Sequence, residues 1–314
     1  MKKKIIILLA LVIVIAACLI PVTQQKTISL KSPYLNIFVH LSKPSEWRKW
    51  RSDMNTIPDA DSSKVLVKKD PNSFVLSYGE KKLEVKSAGY LFNIEDNWNN
   101  NAINYAYLVV PDKLPSNTSI IVSKRTSAIN YLIGKFGNTS FDDTHIGDLK
   151  KFMETDSLLY GYNIFKTKVP VENLIEIKRK VLSKDKFTAA ADMKVILQEY
   201  LKKRDVKKVQ PLLAQFLPRD KDSTQVNVGF YIDRRVKGEN EVIFSQMPKG
   251  GSLYAVKYAG SFIKRQKVYA SLRQYFADHS YQQAILPFES YLDDKLPASD
   301  TSKVNIQINF SSYL

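Results

Sequence analysis

The sequence predicts an α+β protein with an N-terminal transmembrane helix and two domains behind it. Three observations support this prediction. An apolar run follows three lysines at the amino terminus, short alternating segments fill the middle of the chain, and the order strand, helix, strands occurs twice after residue 158. The 314 residues, 44% of them hydrophobic, are enough for two packed cores.

Residues 1–25 are predicted to be a membrane anchor. Lysines at positions 2–4 precede an unbroken apolar run from Ile5 to Val22, and about 18 residues span roughly 27 Å as a helix. The lysines favour a cytoplasmic amino end. We therefore expect a single pass through the inner membrane, with both domains on the extracytoplasmic side. Two alternatives stay open: a lipoprotein signal with Cys18 lipidated, and a cleaved secretory signal.

The charge distribution bears on the partner class. Lys and Arg outnumber Asp and Glu by 47 to 31, which gives a net charge of +16. The basic residues are scattered in short pairs, without a long basic run, a zinc-ligand set or an RNA-binding signature. We therefore expect no nucleic-acid partner, and a basic surface suits a protein held beside anionic lipids.

Residues 26–157 are predicted to form a strand-rich first domain. A strand at 26–32 leads into two short helices, which begin at Pro33 and Pro44. Breakers at 70–72, 97–101 and 111–117 separate predicted strands at 64–69, 73–77, 83–87, 102–110, 119–123 and 128–133. A helix is predicted over His145–Ser157, because Ile146, Leu149, Phe152 and Met153 share one face.

Residues 158–314 are predicted to form a second domain with an internal repeat. Its first half is predicted as a strand at 161–169, helices over Glu172–Leu182 and Phe187–Lys203, and strands at 206–216 and 225–233. Its second half is predicted as a strand at 252–258, a helix at 262–277 and a strand at 304–310. No Gly- or Ser-rich linker lies between the domains.

Three stretches near the start of the first domain resemble a known superfamily. Ile28–Pro33, Ile37–Val39 and Trp47–Trp50 resemble the opening of SRPBCC (START-like, polyketide cyclase-like) domains. The resemblance implies a helix-grip fold, in which a curved antiparallel sheet wraps a carboxyl-terminal helix around an apolar cavity. Trp47 and Trp50 are the candidates for lining the mouth of that cavity, and packing between helices and sheet is the alternative.

Two stretches of the second domain resemble another family. Gly251–Phe262 and Pro287–Leu292, followed by a final strand at 304–310, resemble the GyrI-like (AraC-type effector-binding) domain. The resemblance implies a pseudo-twofold repeat of strand, helix and strands over residues 158–314. An anchored SRPBCC domain fused to a GyrI-like domain is an arrangement known from bacteria, and no helix-turn-helix pattern precedes the second domain here.

Glu289 is the leading candidate site residue. The GyrI-like resemblance implies that this glutamate lies in an aromatic groove between the repeats and holds a cationic ligand. Aromatic faces add ~0.5–2 kcal/mol of cation–π attraction to such a site. The candidate groove residues are Tyr231, Tyr254, Tyr258, Phe262, Tyr269, Tyr275 and Tyr291. The alternative interpretation is that Glu289 pairs near a strand end and the aromatic residues form core.

The leading function is therefore non-enzymatic binding of a small apolar or amphipathic molecule, cations included, at a membrane surface. The alternatives are a hydrolase or cyclase that uses Glu289, and an interaction scaffold whose pockets are filled by its own side chains. We expect no cofactor and no metal, because His40, His145 and His279 lie far apart in sequence and no catalytic motif is present. The sequence leaves the oligomeric state open.

Overall fold

The computed structural model describes residues 20–55, 57–58, 64–99, 102–114, 116–128, 130–131, 144–169, 171–248 and 251–313. Along the chain it divides between Thr155 and Asp156 into two compact units. Each unit contains one antiparallel sheet and a few helices, so the α+β class is confirmed.

The predicted anchor lies mostly outside the described residues, and so does Cys18. Within the described part of the chain, no helix is long and apolar enough to cross a membrane. The last residues of the predicted anchor, from Pro21 onward, belong to a strand that pairs with residues up to Ser127.

The first unit is built on a seven-stranded sheet with the strand order β1-β7-β6-β5-β4-β3-β2. Its elements are β1 (Pro21–Leu30), α1 (Tyr34–Ser42), α2 (Pro44–Trp50), β2 (Leu66–Asp70), β3 (Ser73–Tyr78), β4 (Lys81–Ala88), β5 (Leu91–Asn97), β6 (Ile103–Pro111), β7 (Thr118–Ser127) and α3 (Ile146–Met153).

Three predictions for this unit need correction. Residues 128, 130 and 131, predicted to belong to a strand at 128–133, are helical, and β7 ends at Ser127. Strand β5 was not predicted, because its outward-facing Asn93, Glu95 and Asn97 run into an asparagine cluster that reads as a loop. Phe92 and Ile94 are buried between them, and pairing with β4 and β6 makes the segment a strand. The predicted helix over His145–Ser157 ends early, at Met153.

The second unit is built on an eight-stranded sheet with the strand order β12-β9-β11-β10-β14-β15-β13-β8. Its elements are α4 (Asp156–Leu159), β8 (Phe165–Lys168), β9 (Asn173–Leu182), α5 (Lys186–Arg204), β10 (Leu212–Pro218), β11 (Ser223–Tyr231), β12 (Ile243–Gln246), β13 (Ser252–Ser261), α6 (Gln266–Asp278), β14 (Phe288–Tyr291) and β15 (Lys303–Ser312).

The strand order of this sheet contains the predicted repeat. In the first half of the sheet the strand order is β9-β11-β10, and in the second half it is β13-β15-β14. The two halves therefore mirror one another across the β10–β14 junction. Each long helix also follows a 3₁₀ turn, at Ser183–Asp185 before α5 and at Phe262–Arg265 before α6. Both helices pack on one face of the sheet, and residues from both halves form a single core there.

The predicted helix over Glu172–Leu182 is wrong, because this segment is strand β9. Leu174, Ile177 and Val181 are spaced three and four apart, which also fits a helix. In the structure Ile175 and Ile177 point into the core, and the strand is paired on both sides by β11 and β12. Tertiary pairing therefore overrides the local pattern.

Candidate functional site

Glu289 lies where the two halves of the second sheet meet. It pairs with Ala214 of β10 on one side and with Ile308 of β15 on the other. Its side chain is fully buried, on the face that the helices cover. A carboxylate in this position needs strong hydrogen-bond donors, because an unpaired buried charge is very costly.

Three side chains of the same unit supply those donors. Arg265 Nε donates to Glu289 Oε1 over 2.5 Å, and the Tyr269 hydroxyl donates to the same oxygen over 2.8 Å. The Tyr291 hydroxyl donates to Oε2 over 2.6 Å. Both carboxylate oxygens are therefore engaged, and a protein guanidinium holds the position expected of a cationic ligand.

Arg265 is the residue that the sequence interpretation missed. It is 5% exposed, its Nη1 donates to the Phe262 carbonyl over 3.0 Å, and its guanidinium carbon lies 3.3 Å from the centre of the Phe262 ring. Phe262 in turn packs edge-on against Phe187 and Phe216, with centroids 5.3 and 5.2 Å away. The spacing of Arg265 and Tyr269, one helical turn apart, was the available signal.

The two tyrosines act as donors in this cluster. Burial, and after it the negative charge of Glu289, raise the pKa of Tyr269 and of Tyr291 well above the ordinary tyrosine value. Both hydroxyls therefore stay protonated around neutral pH. The arrangement stabilises a buried carboxylate, to which both tyrosine hydroxyls donate.

The remaining predicted groove residues are dispersed. Tyr254 stacks on Tyr281, with ring centroids 4.7 Å apart, and lies within 5.6 Å of Tyr275. Tyr258 donates to the Ser261 carbonyl over 2.8 Å. The structure separates Tyr231 from Glu289: Phe230, its neighbour in β11, faces the helices, so strand alternation places Tyr231 on the other face.

In the first unit, Trp47 and Trp50 are both buried. Their ring centroids lie 4.7 Å apart, Trp47 also contacts Phe74, and the Trp47 indole donates to the Leu41 carbonyl over 2.8 Å. These contacts are those of packing residues between the short helices and the sheet, which was the alternative role considered for them.

A second buried ionic cluster surrounds Arg51 in the first unit. Arg51 is fully buried, and its guanidinium contacts Asp53 and Asp96 at 2.6 Å each. Tyr105 donates to Asp96 over 3.2 Å, and Nε2 of His145 lies 3.1 Å from the guanidinium. The cluster joins the end of α2, strand β5 and the start of α3. In the part of the chain that the structure describes, no group of His, Cys, Asp and Glu is placed to hold a metal ion.

Comparison with known proteins gives fold likeness only. No family model matches the chain, and no curated protein matches it. The crystal structure of the EcmrR C-terminal domain is 19% identical, with a TM-score of 0.39, over 48% of this chain and 98% of that one. EcmrR in its DNA complex is 15% identical, with a TM-score of 0.41, over 59% of this chain and 76% of that one.

A third structure spans both units. The di-domain ARO/CYC protein BexL from the BE-7585A biosynthetic pathway is 10% identical, with a TM-score of 0.31, over 93% of this chain and 85% of that one. Identity and TM-score at these levels carry no inference about ligand, partner or activity.

Proposed function

We propose that this chain is a non-enzymatic binding protein whose second unit takes a cationic small molecule at Glu289, in exchange for the guanidinium of Arg265. The observation that carries the proposal is a fully buried carboxylate whose counter-ion is a single side chain. A cation of similar size, placed against Phe262, would satisfy the same carboxylate.

The exchange would leave the sheet intact. Arg265 belongs to the 3₁₀ turn before α6, and the backbone of this turn is held by bonds from Phe262 N to Ser302 O and from Ile263 N to Asp300 O. The guanidinium is held by its bonds to Glu289 and to the Phe262 carbonyl. The exchange therefore requires the Arg265 side chain to leave Glu289 and the Phe262 carbonyl, while the backbone bonds of the turn can remain.

The hydrogen bonds that the Glu289 carboxylate accepts favour binding over catalysis. Glu289 accepts three hydrogen bonds from its own chain, and both tyrosines that reach it are donors. A hydrolase or cyclase would need a carboxylate that is free to accept a proton from a substrate or water. The closed cluster supports that role less well than it supports ligand exchange.

The internal ion pair sets the expected affinity. Separating a buried pair costs about 3–5 kcal/mol, so a ligand must supply that much before it binds. This corresponds to a loss of about two to four orders of magnitude in affinity. Arg265→Met removes the competitor and should bind benzyltrimethylammonium more tightly by about that factor.

The test uses calorimetry on the full chain, with benzyltrimethylammonium and its neutral isostere neopentylbenzene. Arg265→Met should prefer the cation, while Arg265→Lys, which keeps the charge, should resemble the wild type. The double variant Arg265→Met/Glu289→Gln should lose the preference. Equal binding of the two probes by a folded Arg265→Met protein would contradict the proposal.

The second candidate is the interaction scaffold, and one observation favours it: every donor to the fully buried Glu289 comes from the chain itself. In that case the cluster serves only to hold α6 on the sheet. A folded Arg265→Met protein that binds neither probe would support the scaffold.

The membrane tether is also a proposal, based on the lysines at 2–4 and the apolar run that follows them. Because β1 begins at Pro21, the first unit would start directly at the membrane surface, without a linker. The protein should stay with membranes after high-salt and alkaline washing, and external protease should digest it in spheroplasts. Recovery in the soluble fraction would refute the tether, and loss of lipid labelling in Cys18→Ser would favour the lipoprotein alternative.

A further inference from the structure

The face of the second sheet opposite the helices carries a groove of about 460 Å³. The Glu289 side chain lies on the other face of this sheet. Its floor is formed by β9, β10 and β11. Its two walls are formed by the segment around Met247 and by the segment from Ile285 to Phe288. A volume of this size lies within the range of small-molecule sites.

A glycine lies in the floor of the groove. Gly229 lies in β11 between Leu213 of β10 and Glu176 of β9. A Cβ at this position would lie 2.9 Å from the Ile175 carbonyl oxygen and 3.1 Å from the Leu174 side chain. A side chain at this position would collide with the neighbouring strand, so the floor of the groove carries none here.

The groove changes character on either side of Gly229. Toward one end it is apolar, where Leu174, Leu213 and Phe288 belong to a buried cluster that Met247 and Ile285 pack against. Toward the other end it is polar, where Gln215, Asn227 and Gln225 follow one another across β10 and β11. A ligand that fits both ends must therefore be amphipathic.

The three amides form a hydrogen-bonded chain with a fixed direction. Arg219 Nε donates to Gln225 Oε1 over 2.9 Å, Gln225 donates to Asn227 over 3.0 Å, and Asn227 donates to Gln215 over 2.8 Å. Gln215 donates to the Pro287 carbonyl over 2.9 Å. Because a guanidinium can only donate and a carbonyl can only accept, both ends fix the same orientation of every amide.

The charge at the polar end is positive. Glu176 is paired with Lys178 at 2.9 Å, and Asp220 is paired with Lys180 at 3.0 Å. Arg219 contacts Gln225 through Nε and Nη2, and within the described residues no carboxylate lies within salt-bridge distance of it. Its remaining donors are available to an anion, and the net charge of +16 favours an anionic ligand.

We propose that this groove is a second ligand site, which binds a single-tailed amphipathic carboxylate. The carboxylate contacts Arg219, and the tail lies along Leu213, Met247 and Phe288. The site is independent of the Glu289 cluster, because it uses the opposite face of the sheet and a ligand of opposite charge.

The test is a titration of the full chain, in nanodiscs of zwitterionic lipid, with three probes whose chains have about eight carbon atoms: octanoate, octanol and octyltrimethylammonium. The readout is the methyl signal of methionine. Met247 lines the groove, whereas Met193 lies on α5 and is buried in the core on the other face. A local signal separates binding in the groove from partition of the probes into lipid.

Octanoate should shift the Met247 methyl signal and leave Met193 unchanged. Arg219→Gln should weaken octanoate about tenfold or more, because it removes one charge-assisted contact, and should leave octanol unchanged. Arg273→Gln is the matched control, since it removes an exposed arginine on α6. An unmoved Met247 at millimolar octanoate, an equal response to the three probes, or an equal effect of both variants would overturn the proposal.

Discussion

Loss of one partner from the Arg265–Glu289 pair should destabilise the second unit strongly. Arg265→Met leaves a fully buried carboxylate with only two tyrosine donors, which costs about 3–5 kcal/mol. The buried methionine offsets about 1 kcal/mol of that. Glu289→Gln leaves the cation without its counter-charge but keeps an acceptor, so about 2–3 kcal/mol is expected.

The double variant should cost much less than the sum of the single variants. With both charges removed no buried ion is left unpaired, so the coupling energy should be about 3 kcal/mol. The control is Lys186→Met, which breaks the partly exposed pair with Asp300 at 2.9 Å and should cost at most about 1 kcal/mol.

Urea unfolding of each unit can be followed separately in the full chain. The methyl signal of Met193 reports the second unit, and those of Met54 and Met153 report the first. Only the Met193 transition should move in the Arg265 and Glu289 variants. Additive losses, or a loss in Arg265→Met no larger than in Lys186→Met, would refute the assignment of a coupled buried pair.

Three further outcomes are expected. Arg51→Met should lower the free energy of unfolding of the first unit by about 3–5 kcal/mol, since it removes the buried guanidinium that contacts both Asp53 and Asp96; an unchanged tryptophan-fluorescence transition would contradict this. The pKa values of Tyr269 and Tyr291 are raised in the folded protein, so the unfolded chain loses these two protons at a lower pH than the folded chain does. The free energy of unfolding that the two hydroxyls contribute is therefore complete below about pH 10 and is lost as the pH rises further. Urea midpoints that stay constant above pH 10 would count against that linkage. Gly229→Ala should destabilise the second unit by about 1–3 kcal/mol, because the added methyl group would clash with the neighbouring strand. Gly147→Ala should instead stabilise the first unit by about 0.5–1 kcal/mol, because the added methyl group on α3 would meet open space. The opposite ranking of the two alanine variants would show that the packing around Gly229 is misjudged.

Local pattern determined much of the fold. The alternation of Phe74 and Leu76, or of Leu83 and Val85, predicts strands because one face of each is buried. The repeated order of strand, helix and strands likewise predicted an internal repeat, and the second sheet contains two matching halves. The apolar residues of Glu172–Leu182 fit both the helical and the strand periodicity. Pairing with the neighbouring strands makes this segment a strand.

Glu289 and Tyr291 were singled out from the sequence through the resemblance of Pro287–Leu292 to a segment of GyrI-like domains. Which cation meets that carboxylate was decided by tertiary structure: Arg265 lies 24 residues away, on the helical side of the core. The groove around Gly229 has the same origin, since its residues come from separate strands and the alignment of β9, β10 and β11 brings them together. Period and composition determine which residues are buried, whereas the register between distant strands determines which buried groups touch.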